Sequence, residues 1–323
     1  MTPVRVVVSV DVEEEGLFSG EYPRRPPGVA NVARLERLAF ISEEFHIPLT
    51  LLATYPVVQD GAAAAVLRHF QDDYGAEIGA HLHAWNTPPF ADLGITEPVP
   101  TSRLPRDLLA DKLHHLTAAI ETAVGDRPRS FRMGRFDLGP GMLPLLAEAG
   151  FWADCSLVPL RVIRGGPDHF LTSAEPFVVQ GKEPQTMALV ESPLTIVPLW
   201  AAAPQAVTGL GRWLPPSWYT RVRENCHYVL AAGAQPTMYS LPVMCLAAWL
   251  HRRRGGRTIH LFLHSSELLP GASPQYPDEA AVNRLLAKIR SFLAWLRKSS
   301  AFRGLTLTAL AEEVREEEKK KGK

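Results

Sequence analysis

The chain of 323 residues is poor in cysteine: Cys155, Cys226 and Cys245 form neither a CxxC pair nor a disulfide framework. That excludes a disulfide-stapled scaffold and fits a reducing compartment. Charge of one sign is also missing, with 34 Lys+Arg against 34 Asp+Glu. Without a basic stripe, nucleic-acid binding loses its electrostatic footprint, and recruitment to anionic lipid is equally disfavoured. The longest apolar runs, such as Leu241 to Leu250, fall well short of the roughly 20 residues that span a bilayer. Met1-Thr2-Pro3-Val4-Arg5 leads straight into a short apolar strand with no signal-type h-region, so a cytoplasmic location is expected. No GxxxxGK[ST], GxSxG or HExxH occurs, which removes support for phosphate-loop, nucleophile-elbow and zincin chemistry.

What is present is the rhythm of an α/β protein. Hydrophobic residues make up 46% of the chain, enough for a full core. Val4 to Val10 is β-branched and almost wholly apolar, the pattern of a parallel strand buried on both faces, and it ends at Asp11. Short apolar runs recur at Leu49 to Ala53, Glu77 to Ala80, Ala188 to Val190 and Thr258 to Leu263. Helix-period segments lie among them at Val32 to Phe45, Ala62 to Phe70, Arg106 to Val124, Gly141 to Ala149 and Glu279 to Leu296. In Arg106 to Val124, Leu109, Leu113, Leu116 and Ile120 form one apolar stripe. Residues 195–257, with scattered Pro, Trp and Ala, break the rhythm and read as a helical or irregular insertion. Residues 1–311 can bury their core as one large domain or two small ones, and 312–323 read as a solvated, fraying charged tail.

In parallel α/β folds the chemistry sits just beyond the carboxyl ends of strands, and four such places are rich in functional groups. Asp11 and Glu13 share one side of the extended chain and can converge on a cation or a water, although an acidic run alone is more often a solvated face. His81 and His83, at i and i+2 of a strand end beside Trp85, point the same way and suit a divalent metal such as zinc. Arg132 and Arg135 follow a third strand, where an arginine can hold a carboxylate ionised and oriented. His264 ends a fourth strand, well placed for general acid work. His114-His115 sits mid-helix and reads as a solvent or packing pair. Cys155 has no basic neighbourhood to make it reactive.

Taken in order, these places resemble the motif series of the polysaccharide deacetylase, or NodB-like, family of carbohydrate esterases. Ser9-Val10-Asp11-Val12-Glu13 resembles the first motif, Glu77 to Trp85 the second, Phe131-Arg132 the third and Leu263-His264 the fifth. The resemblance implies an irregular barrel of about seven βα units, a catalytic-base Asp11, an Arg132 that orients it, and a general-acid His264. It also implies metal ligands drawn from Asp11, Glu13, His81 and His83. Three departures mark this chain. Val12 replaces the usual metal-binding Asp, passing that duty to Asp11 or Glu13. Trp85 stands at the second histidine position of the family's H-x-x-x-H, with His83 the nearby substitute. Arg132 is followed by Met133, Gly134 and Arg135 instead of the usual Arg-x-Pro-aromatic-Gly.

The expected activity is hydrolysis of a non-peptide carbon–nitrogen bond, a metal-assisted removal of an N-acyl group from an amino sugar, polysaccharide or glycan-bearing molecule. Divalent zinc is the expected cofactor, and Arg135, Trp85 and Trp213 are the expected substrate contacts. Trp200 and Trp218 are further candidates for a sugar platform, set against plain packing of the insertion. Two alternatives stay open, a metal-free amidohydrolase on the same barrel and a catalytically silent carbohydrate-binding protein.

Overall fold

A computed structural model describes residues 3–25, 28–139, 141–163, 165–179 and 189–321. Its centre is β1 (Val4–Val12), every residue of which is buried. Parallel neighbours flank it: β2 (Leu49–Ala53), β3 (Glu77–Leu82), β4 (Ser130–Met133) and β5 (Ala153–Asp154) follow on one side. β10 (Thr258–His264) pairs with the other side. The far edge is finished by β6 (Phe177–Val179) and β7 (Leu189–Glu191), which pair antiparallel to each other while β7 runs parallel to β5. β11 (Phe302–Gly304) adds to the start of β1.

The sheet curls, and the gap between its ends is bridged by the segment after β7. Thr195 N donates to the His260 carbonyl at 3.3 Å, and His260 N donates back to Thr195 Oγ1 at 2.8 Å. The result is the irregular (β/α)7-type barrel that the family resemblance implies. Around it pack α1 (Ala39–Phe45), α2 (Tyr55–Gln59), α3 (Gly61–Tyr74), α4 (Arg106–Val124) and α5 (Met142–Glu148). The stripe Leu109, Leu113, Leu116 and Ile120 of α4 is buried against the sheet. Asp60 caps α3 by accepting from Ala63 N at 2.8 Å.

The insertion holds β8 (Ile196–Pro198), α6 (Ala203–Leu210), α7 (Pro216–Val229), β9 (Ala231–Gly233) and α8 (Leu241–Arg253). β8 and β9 form a separate two-stranded antiparallel sheet. The long α9 (Glu279–Ser299) buries Val282, Leu285, Ile289, Phe292, Leu293 and Leu296. Among the described residues, no helix is long and apolar enough to cross a membrane.

Two local expectations need correcting. The charged end does not fray: α10 (Leu307–Lys321) continues through it, anchored by buried Leu307, Leu310, Ala311 and Val314. Within it Glu317 accepts from Arg257 at 2.8 Å and from Arg5 at 3.4 Å, which ties the last helix to the first strand. Only Gly322 and Lys323 lie outside the described residues there. The strand expected at Ala188 to Val190 starts one residue later, and Ala188 itself lies outside the described residues.

Inside the barrel, Gly79 lies two residues before His81 on β3 and so faces the same side. A Cβ there would stand 2.3 Å from Ser130 Oγ and 2.5 Å from Leu52 Cδ2. Gly79→Ala is expected to overpack this layer and cost roughly 1–3 kcal/mol. Urea unfolding will check it: the midpoint should fall with an unchanged slope, and an unshifted midpoint would contradict the contact.

Candidate active site

The alternation of β1 puts Asp11 and Glu13 on one side and Val12, fully buried, on the other. Asp11 is only 2% exposed and its Oδ1 receives a hydrogen bond from Arg132 Nη1 at 2.6 Å. The guanidinium is held from three directions, since Nε donates to the Cys155 carbonyl at 3.1 Å and Nη2 to Ser9 Oγ at 2.8 Å. Burial alone would raise the Asp11 carboxyl; Arg132, with His81 and His264, outweighs it and holds the group below the ordinary carboxylate range. Asp11 is therefore an oriented carboxylate at neutral pH.

The two imidazoles of β3 arrive from the neighbouring side. His81 Nδ1 donates to the Arg132 carbonyl at 3.1 Å, and His83 Nδ1 to Glu14 Oε1 at 2.7 Å. Both rings thus turn Nε2 inward, and the two Nε2 atoms stand 3.1 Å apart. Glu13 Oε2 lies 3.6 Å from each of them. Bonds of about 2.0–2.1 Å in a tetrahedron give ligand-to-ligand edges of about 3.3 Å, so these three atoms have the spacing of a metal triad. Asp11 Oδ2 is 3.5 Å from His81 Nε2.

Glu14, overlooked in the sequence because it reads as one more member of an acidic run, is what orients His83. It also accepts from Thr54 Oγ1 at 3.0 Å and Asn86 Nδ2 at 2.5 Å. Burial would raise it, but the charge and hydrogen bond of His83 dominate and bring it to about 2. A carboxylate behind a histidine whose other nitrogen faces a cation is the usual support of a metal-ligating imidazole.

His264 ends β10 directly beside Asp11, its register partner on β1. Polar atoms of Asp11, Glu13 and His264 lie within 4.8 Å of one another. Barrel closure is not needed to bring residues 11 and 264 together, because adjacent strands do it. His264 Nδ1 donates to Glu267 Oε1 at 2.9 Å, leaving Nε2 for the pocket. Burial would lower this imidazole, but Glu13, Glu267 and Asp11 prevail and raise it to about 9. Glu267 sits one helical turn after His264, a spacing visible in the sequence.

The expected substrate contacts divide. Arg135 lines a cavity of about 320 Å³ that opens at His264. Trp85 is buried and lends its face to His83, stacked at 4.2 Å, so it backs the histidine pair instead of offering a free platform. Trp213 is 82% exposed on the cap, Trp200 and Trp218 are 63% exposed, and none of the three lines that cavity. Trp200 and Trp213 lie in the segments on either side of α6, and Trp218 lies on the exposed side of α7. His114 and His115 are exposed on α4. Cys155 is fully buried, and burial pushes its thiol well up, which makes it an inert core residue.

No family model and no curated protein matches the sequence. Solved structures do. A Mycobacterium smegmatis protein provisionally assigned as a polysaccharide deacetylase superposes with a TM-score of 0.60 at 18% identity, covering 98% of this chain and 95% of that one. The fold is that of the polysaccharide deacetylases. Puue allantoinase superposes with a TM-score of 0.58 at 14% identity, over 95% of this chain and 89% of its own.

A polar network lies beneath the site. Ser9 Oγ bonds His260 Nε2 at 2.8 Å, while His260 Nδ1 donates to the Ser192 carbonyl at 3.0 Å. Burial, reinforced by Arg132, drives His260 down to about 3. Between that value and the ordinary 6.5 the unfolded chain binds a proton that the folded chain refuses. Stability is therefore expected to fall as pH drops below about 6.5, by up to about 1.4 kcal/mol per pH unit from this group. Replacing His260 by Asn should flatten the loss between pH 6.5 and 4; an equally steep decline in the variant would refute the assignment. Separately, a Cβ on Gly134 would meet His83 Cδ2 at 2.5 Å and the Leu82 carbonyl at 2.8 Å. Gly134→Ala is expected to displace His83 and, if the cluster takes up added zinc, to weaken that uptake at least tenfold, measured by competition with a chelating dye.

Proposed function

We propose that this protein is an amide hydrolase that removes an N-acyl group from an amino sugar or a glycan-bearing molecule. The observation that carries the reading is Asp11, ionised and fixed by Arg132 at 2.6 Å, beside His264 and within reach of two inward-facing imidazoles. His81, His83 and Glu13 would hold a divalent cation, with zinc the best match to two nitrogens and one oxygen, and Asp11 stands next to them. Such an ion, when bound, polarises the acyl oxygen and acidifies a water.

The chain's own groups do the remaining work. Asp11 accepts the proton of the attacking water as its oxygen bonds to the acyl carbon. Arg132 keeps that carboxylate from turning or protonating in the absence of substrate. His264, positioned by Glu267, delivers a proton to the nitrogen as the carbon–nitrogen bond breaks, since an amine anion is too poor a leaving group to depart unprotonated. The products are a carboxylate and a free amine. The fold shared with a provisionally assigned polysaccharide deacetylase and with an allantoinase supports the same class of bond.

Asp11→Asn should lower hydrolysis of an N-acetylated glycan by at least 100-fold while circular dichroism shows an intact fold. His264→Ala should lose a comparable factor on that amide yet keep most of its rate on an activated aryl acetate, which leaves without help. Equal loss on both substrates would remove His264 as the acid. Protein purified without chelator should carry close to one divalent ion per chain, and His81→Ala with His83→Ala should abolish it. Full activity in metal-free protein would point instead to an amidohydrolase that works without a cation.

A further inference from the structure

The cavity beyond His264 has an electrostatic character that amide hydrolysis alone does not require. Its walls are largely apolar, with Val158, Leu194, Ile196 and Phe262 among them, but two guanidinium groups, Arg135 and Arg161, also line it. Neither forms an ion pair or a hydrogen bond to a carboxylate among the described residues. Arg135 lies over the Tyr22 ring at 5.4 Å and Arg161 over the Phe136 ring at 5.8 Å. The carboxylate in the lining, Glu267, is taken by His264 and by Thr237, which donates at 2.6 Å. Burial, with Arg135 adding to it and Tyr228 opposing, pulls Arg161 below the ordinary arginine range.

Two further side chains of the same lining are buried and incomplete. His227 is 3% exposed with Nδ1 unpartnered, and Gln235 is 1% exposed with neither amide atom bonded. A buried polar atom left unpaired costs roughly 1–3 kcal/mol, so three of them on one small cavity need an explanation. The backbone is contorted at the same place. Arg135 and Phe136 hold φ of 59° and 58°, and Leu160, just before Arg161, holds 64°. Among the described residues the other non-glycine with positive φ is His46. Strain of this kind persists where it presents a functional side chain.

We infer that this cavity binds an anionic group of a hydroxylated substrate, with Arg161 and Arg135 pairing the anion and His227 and Gln235 meeting its hydroxyls. The inference rests on the reading of the His264 cavity as the substrate site, and it names the substrate class: a sugar carrying a carboxylate or a phosphate. A carboxylate accepts two parallel hydrogen bonds from one guanidinium, whereas a phosphate can bridge both. The two sources share their chemistry toward the site.

Calorimetric titration of the purified full chain with glucuronate, glucose 6-phosphate and glucose, at fixed ionic strength, tests this without requiring turnover. At least one anionic sugar should bind roughly 10- to 100-fold more tightly than glucose, and the tighter of the two identifies the group. Arg161→Gln and Arg135→Gln should each erase most of that preference, while Arg161→Lys should keep part of it. Arg284→Gln, the same charge change on the solvent face of α9, should leave it intact. Equal affinity for all three sugars, or an equal loss in Arg284→Gln, would overturn the inference. Arginine-dependent anion binding without hydrolysis of any N-acyl substrate would refute the proposed function and leave this site standing. Hydrolysis of neutral and anionic N-acyl sugars with the same KM would do the reverse.

Discussion

The pairing of Arg132 with Asp11 is the interaction on which the rest of the structure depends. Both groups are withdrawn from water, and taking two charges into a protein interior is expensive unless every lone pair and proton finds a partner. Here the surroundings supply them. Ser9, the Cys155 carbonyl and Asp11 occupy the edges of the guanidinium, and Ser9 passes the chain of hydrogen bonds to His260 and Ser192. One residue thereby fixes two others, because the backbone carbonyl of Arg132 also sets the ring of His81. Charge, ring orientation and strand packing at the barrel centre are parts of a single arrangement.

A second buried pair shows how much that arrangement matters. Asp154 ends β5 and Glu191 ends β7, and both are fully buried. Burial raises both carboxyls, and Glu191, repelled by Asp154, is held well above its usual range. Arg132 lies near both groups yet makes its short bond to Asp11, so the charge it neutralises is the one that faces the pocket.

Much of this was legible in the sequence, for definite reasons. β1, β2 and β10 are apolar runs buried on both faces, and α4 carries its stripe at helical spacing, so periodicity located them closely. The same logic, strand end followed by a polar residue, singled out Asp11, His81, Arg132 and His264. What stayed hidden depends on pairing instead of pattern. β5, β6, β8 and β9 have only two or three residues each, too few for a period to show. Glu14 could not be told from Glu13 in the sequence, because both follow the end of β1 at Val12 and only their contacts separate them. Trp213 suggested a sugar platform because tryptophan outside a regular strand invites that reading, but only the cap's packing decides which way a ring faces. The terminal charge block suggested fraying, whereas the apolar anchors at its start, Leu307, Leu310, Ala311 and Val314, carry the helix through it.

The adjacency of Asp11 and His264 in the sheet register has a further consequence. Their separation is set by the spacing of two hydrogen-bonded parallel strands, a dimension fixed by peptide geometry. Arg135, Arg161, His227 and Gln235, by contrast, come from the connecting segments and the insertion. On the proposed reading, recognition and proton transfer would therefore reside in mechanically separate parts of the molecule. The insertion can be rebuilt while the distance between Asp11 and His264 stays where the sheet put it.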